Sequence, residues 1–326
     1  MSSTLTIIMY HFVRDLEHSR YPEIKGLRLN EFKEQLAYIG KHYNVVRMED
    51  VIAAVYSGKD DLPPKPLLLT FDDGYIDHFT NVFPVLDEKD FQGSFFPPAR
   101  AIKNNLVLDV NKIHFLLASV PKKSNLLDSL FSILDKLRDD FPVQDKEYYE
   151  ATVIAESRFD TKEVTFIKSM LQRELPEEVR KIIVDELFKK YVTSDEAGFS
   201  AELYMNLDQI KCMKRNGMFF GSHGYDHYWI GTLNPLRQEQ EVDSSIEFLK
   251  EAGSEHRPLV FCYPYGSYNA SLLAILKKNG FKLGLTVQVG LADLQRANPL
   301  LLPRLDTNDL PKDKNAEANE WTINAK

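Results

Sequence analysis

Thr70-Phe71-Asp72-Asp73-Gly74-Tyr75 closes the apolar run Leu67–Phe71, which follows Pro66. A continuous apolar run of that kind, without polar alternation, predicts a strand buried on both faces, as in a helix-covered parallel sheet. The two carboxylates then sit at a strand end, where active sites gather in parallel α/β folds. Side by side in such a place they repel each other unless a cation or a shared proton compensates. A division of roles resolves the conflict: one carboxylate binds a metal while the other stays free to accept a proton. Asp-Asp-Gly is also ordinary turn chemistry, so the stretch alone leaves both readings open.

The same rhythm extends to either side. Upstream, Thr6–Tyr10 predicts a first strand, and Phe32, Leu36 and Ile39 mark one face of a helix capped by Asn30. Downstream, Gly93–Phe96 predicts another strand. From residue 206 the alternation resumes: helix Leu207–Asn216 stopped by Gly217, strand Met218–Gly221, then a helix opened by Asn234 and Pro235 and running to Gly253. Strand Leu259–Tyr263, helix Ser271–Lys278 and strand Phe281–Thr286 complete it. Strand and helix in turn predict a parallel α/β fold.

Residues 105–205 break this rhythm. Leu126, Leu130, Phe131, Leu134 and Leu137 mark one helix, Val164, Ile167 and Leu171 a second, and Val179, Ile182, Ile183 and Leu187 a third beginning at Pro176. The expected organisation is a discontinuous α/β domain of residues 1–104 and 206–310, an all-helical insertion at 105–205, and a polar, frayed tail at 311–326.

Two further motifs sit at predicted strand ends. In Ser222-His223-Gly224-Tyr225-Asp226-His227, histidines four apart can share a metal from one helical turn. Two histidines, one carboxylate and an open position form a catalytic zinc pattern, although a short His spacing is weak by itself. In Phe261-Cys262-Tyr263-Pro264-Tyr265-Gly266, the proline and glycine shape a tight loop whose N–H groups can hold an oxyanion, or simply connect a strand to a helix.

Taken together, Thr70–Tyr75, Ser222–His227 and Tyr263–Gly266 resemble the polysaccharide deacetylase family, carbohydrate esterase family 4, with its NodB-homology domain. The resemblance covers residues 65–100 and 206–290 and leaves out the helical insertion. It implies a deformed (β/α) barrel of about seven strands, with Asp72 as catalytic base, Asp73, His223 and His227 as ligands of a divalent metal, and the Tyr265 N–H at the oxyanion. Zinc suits such a donor set, though nitrogen and carboxylate ligands admit other divalent ions.

The chain departs from the family pattern at two places. The family's third motif begins with an arginine that braces the catalytic aspartate; Cys262 stands there, and a thiol is no substitute for a guanidinium. Arg304, in Leu302-Pro303-Arg304-Leu305, is the candidate to reach Asp72 from another strand. The family's last motif ends in an acid histidine, but no histidine follows His256. Ile8-Met9-Tyr10-His11 has the shape of that motif at the other end of the chain, as in a circular permutation, which assigns His11 the general-acid role.

Composition narrows the partners. The net charge of −8, without a basic run, excludes nucleic acid, whose phosphates need clustered Lys and Arg. Two cysteines make neither a zinc CxxC pair nor a disulfide framework. The opening residues have no basic start or cleavage site and no run long enough for a membrane span, so a cytoplasmic location is expected. The expected activity is hydrolysis of the amide of an N-acylated amino sugar, acetylated or formylated, in a saccharide, glycan precursor or nucleotide-linked sugar. Two alternatives stay open: an inactive member that binds glycan, and a hydrolase of a non-sugar C–N bond.

Overall fold

The computed structural model describes residues 4–57, 61–153, 160–254 and 258–326. Among the described residues, eleven strands occur in chain order: β1 Thr4–Tyr10, β2 Val13–Arg14, β3 Leu27–Arg28, β4 Asn44–Val45, β5 Pro66–Asp72, β6 Gly93–Phe96, β7 Phe219–Phe220, β8 Val260–Cys262, β9 Leu283–Leu285, β10 Ala292–Asp293 and β11 Leu305–Asp306. The run that ends in the paired aspartates is buried at every position, as its unbroken apolarity predicts.

The parallel pairings close on themselves. β11, β1, β5, β6 and β7 are neighbours in one sheet. Ser222, just past β7, bridges in parallel to Phe261 of β8, and β8 pairs with β9. Leu285 of β9 bridges to Leu302, whose segment runs straight into β11. The result is a seven-staved parallel barrel whose last stave, residues 302–306, lies beside the first. β4 flanks β5, and β10 lies antiparallel on β1.

Strand alternation sorts the side chains between the two faces. Leu5 and Ile7, Leu68, Phe96, Phe219, Val260 and Cys262, Leu283 and Leu285, and Leu302 pack in one cluster with members from every stave. His11, Thr70, Asp72 and Arg304 continue the same parity toward the carboxyl ends, so the barrel's own period places them together at its mouth. The opposite parity, with Ile8, Tyr10, Leu69, Phe71, Phe95 and Phe220, packs against the helices Leu29–His42 and Leu207–Arg215. Emptying either layer, for example by Leu68→Ala, costs on the order of 2–5 kcal/mol.

Backbone contacts divide the chain into two compact units. The barrel unit comprises residues up to Asp15, Gly26–Asn104 and Ala201–Lys326. The second comprises Leu16–Lys25 and Asn105–Ser200 and is helical wherever it is regular. Its core is Ile113, Leu116, Leu130, Leu134, Ile167, Met170, Ile183 and Leu187 with their neighbours. Lys112 is buried there between Asp185 and Glu196, at 2.5 and 2.9 Å, which offsets the cost of removing its charge from water.

Two expectations need correction. The first helix begins at Leu29, with Arg28 as its cap; the Glu31 carboxylate reaches back to the Arg28 N–H at 3.4 Å, so Asn30 lies inside the first turn. The tail does not fray. Thr322 is fully buried, its hydroxyl shared by Tyr38 and Tyr43 at 2.8 and 2.9 Å, and Trp321 and Ala325 pack on the barrel's outer core. A few anchored side chains outweigh the polarity of the residues between them.

Candidate active site

Asp72 and Asp73 are consecutive, yet they occupy opposite electrostatic settings. Asp72 is 1% exposed and accepts two hydrogen bonds from Arg304, at 3.0 and 2.8 Å. The same guanidinium donates to the Thr70 hydroxyl at 3.2 Å and the Thr286 carbonyl at 2.8 Å. Burial opposes the charge of Asp72, but Arg304 outweighs it and holds the carboxyl down at about 2. His11 stands at the open side, its Nε2 4.0 Å from Asp72 Oδ2 and its side chain 41% exposed.

Asp73 turns away from this pair through a left-handed backbone, φ +70°, and Gly74 follows at φ +65°. Glycine is required there twice over: a Cβ on residue 74 would lie 2.6 Å from Pro97 Cβ, in a conformation that side chains disfavour. The Tyr75 hydroxyl donates to Asp73 Oδ2 at 2.5 Å. The other oxygen, Oδ1, is buried without a hydrogen-bond partner among the described residues. His223 Nε2 faces it at 3.5 Å and His227 Nε2 at 3.4 Å.

The two histidines do not share a helical turn, as their spacing had suggested. They lie on a loop with Gly224 at φ +73° and His227 at φ +55°. The buried Glu241 carboxylate dictates this shape by accepting the N–H groups of Tyr225 and Asp226 at 3.0 and 2.9 Å. Arg100 ties down the same loop by pairing with Asp226. His223 Nδ1 donates to the Cys262 carbonyl at 2.7 Å, which turns Nε2 toward Asp73. Burial pushes the His227 imidazole below its ordinary range and so favours the neutral, ligating form.

Donor atoms of Asp73, His223 and His227 all lie within 4.8 Å of one another. A buried, unpartnered carboxylate oxygen facing two imidazole nitrogens is costly without a cation, and three such donors suit a divalent metal. Asp72, His223 and Cys262 are equally close. That second grouping does not fit a metal, because Arg304 occupies both Asp72 oxygens and burial keeps the Cys262 thiol protonated.

Tyr265 lies in the loop after β8, also left-handed at φ +56°. Its ring stacks on Trp229 with centroids 4.5 Å apart and stands edge-on to His227 at 4.7 Å, so this loop borders the Asp/His cluster. Sequence reasoning missed Tyr75, His78 and Glu241. Glu241 had a visible signal, a charged residue beside Val242 on the buried face of helix Pro235–Glu251; Tyr75 and His78 were hidden among the aromatic residues that usually pack cores.

A sequence model of the family described as polysaccharide deacetylase matches residues 59–129 and 187–284, more than half of the chain. The chain belongs to the polysaccharide deacetylase family. The match reaches into both ends of the 105–205 segment, which the motif resemblance had left out altogether. The poly-beta-1,6-N-acetyl-D-glucosamine N-deacetylase of Escherichia coli (strain K12) is 22% identical over 298 residues, 90% of this chain and 35% of that protein. The chain spans about a third of the length of the curated relatives it matches. Among solved structures, the Streptococcus pyogenes deacetylase PplD in complex with acetate superposes with a TM-score of 0.59 at 17% identity, covering 94% of this chain and 93% of that one. IcaB from Ammonifex degensii gives 0.54 at 20% identity, with the same two coverages. These likenesses carry the fold of the deacetylase barrel. Among the described residues, no helix is long and apolar enough to cross a membrane.

Proposed function

We propose that this protein is a metal-dependent N-deacylase that hydrolyses the acetamide, or formamide, of an N-acylated amino sugar. The observation that carries the reading is the split between the neighbouring aspartates. Asp72 is braced by Arg304 and faces His11, while Asp73 turns an unpartnered oxygen toward two histidines. Family membership and the amino-sugar deacetylases among the relatives support the substrate class.

Asp73, His223 and His227 would hold the metal, zinc by preference for this donor set. Such an ion supplies Lewis-acid polarisation of the acyl carbonyl and a lowered pKa for water. Asp72 takes the proton of the attacking water. Held near 2, it is ionised throughout the physiological range but weakly basic, so it accepts the proton only as addition to the carbonyl makes that water acidic. Arg304 keeps its carboxylate plane fixed in the meantime. The Tyr265 N–H donates to the oxyanion, and His11 delivers a proton to the departing amine. Cys262 in place of the family arginine would suit a binder that does not cleave, but Arg304 stands against Asp72 instead, which supports the hydrolase.

The test is release of acetate and formate from N-acylated sugars, spanning polymer, short oligomers and nucleotide sugars, with bound metal measured on the same protein. Release that vanishes in Asp72→Asn is the expected result. Bound metal without release across the panel would overturn the hydrolase in favour of glycan binding or a non-sugar amide.

A further inference from the structure

The stretch following the paired aspartates grips the segment that carries His11. The β1–β5 ladder ends at the pair Tyr10 and Phe71, so the sheet does not set the position of His11. Other contacts do. His78 Nε2 lies 3.0 Å from the His11 carbonyl, and Asn81 Nδ2 donates to the Val13 carbonyl at 2.8 Å. Asp77 holds the Arg14 guanidinium in a two-bond pair at 2.7 and 2.9 Å. Between them the Phe12 ring lies on Tyr75, with centroids 3.8 Å apart.

His78 is fully buried, with its ring among Phe71, Tyr75 and Phe95. A carbonyl only accepts, so Nε2 carries the proton and donates it. Asn81 lies three and four positions after His78 and Asp77, so one helical face presents all three to the same segment, beginning at the π-helical turn His78–Val82.

We propose that Asp77, His78 and Asn81 are positioning residues that hold His11 at its working distance from Asp72 and from the leaving amine. This rests on the reading of His11 as the general acid. Residues 72–81 then set the base, one metal ligand and the acid from one continuous piece of chain. A displacement of about 1 Å in such a group costs up to about a hundredfold in rate.

The experiment compares an amide with an activated ester. Acetate release from short β-1,6-linked N-acetylglucosamine oligomers needs a proton for the departing amine; hydrolysis of p-nitrophenyl acetate does not, because p-nitrophenolate leaves unassisted. His78→Leu, His78→Gln, Asn81→Ala and His11→Ala are measured beside the wild type, with metal content determined for each. In His78→Leu, kcat on the amide is expected to fall roughly ten- to hundredfold, with KM and ester hydrolysis within about threefold of wild type. His78→Gln places an amide N–H near the lost donor and is expected to recover most of that loss. Equal losses on amide and ester, or unchanged amide turnover while His11→Ala is inactive, overturn the proposal. If His78→Leu does not fold, Asn81→Ala decides by the same ratio of amide to ester. Full amide turnover in His11→Ala would instead overturn the acid assignment, and this inference with it. Absence of release by the wild type would count against both.

Discussion

Arg304 and Asp72 form a fully buried, two-bond ion pair across 232 residues of chain, at 3.0 and 2.8 Å. The pair closes the barrel as well as the site, since Arg304 directly precedes β11 and Asp72 ends β5. Removing the guanidinium strands a buried carboxylate. Arg304→Met is expected to lose about 3–5 kcal/mol in urea unfolding and to lose deacylation almost completely. Arg304→Lys keeps the charge without the fork and is expected to recover more of the stability than of the kcat. Wild-type stability in Arg304→Met would sink the bracing role. The sign with pH follows from the lowered carboxyl: its contribution is present above the ordinary aspartate value and is lost as pH falls through about 2.

The Tyr75 hydroxyl sits 2.5 Å from one oxygen of Asp73, and the other oxygen faces both histidines. Tyr75→Phe keeps the ring packed on Phe12 while releasing the carboxylate to rotate. Metal affinity, read by chelator competition, is expected to weaken roughly ten- to hundredfold, with little change in melting temperature. An unchanged metal Kd would show that Tyr75 only fills space.

Glu241 makes a distinct pH prediction. Burial pushes its carboxyl up to about 7, against the two backbone N–H bonds that favour its charge. A carboxyl raised on folding stabilises fully below its unfolded value and loses that contribution as pH rises through its folded one. The stability of Glu241→Gln relative to wild type is therefore expected to improve between pH 5 and pH 8, by on the order of 2 kcal/mol. Urea midpoints at the two pH values check this, and a pH-independent difference would refute it.

Removing divalent metal tests the cluster directly. Dialysis against a chelator is expected to abolish deacylation and leave the barrel folded, because its core is packed independently of those three side chains. Zinc should restore turnover. Unimpaired activity in the fully stripped protein would rule out the metal-dependent reading.

Thr322 tests whether the C-terminal segment is structural. Its hydroxyl serves both Tyr38 and Tyr43. Thr322→Val preserves shape but leaves two buried phenols short of a partner, at a cost of about 1–3 kcal/mol. Differential scanning calorimetry should show a lower Tm with unchanged catalytic constants; an unaltered Tm would return the tail to a passive role.

What the sequence determined by itself was everything local or periodic. Unbroken apolarity marked β5, and Asn234 with Pro235 marked the start of a helix. Asp72, Asp73, His223 and His227 stood out as candidates only because their motifs, each ordinary turn or loop chemistry alone, together resemble the family pattern. Tertiary structure decided what depends on distant chain meeting. Alternation of strands and helices is common to open sheets and barrels, and among the described residues the Ser222–Phe261, Leu285–Leu302 and Ile8–Leu305 pairings choose closure. Closure in turn brings Arg304 to Asp72 and sets His11 beside it, relations that no spacing encodes. The histidine loop followed the same logic: its shape comes from Glu241, a residue on another element, since backbone N–H groups outside regular structure take whichever buried acceptor the fold presents.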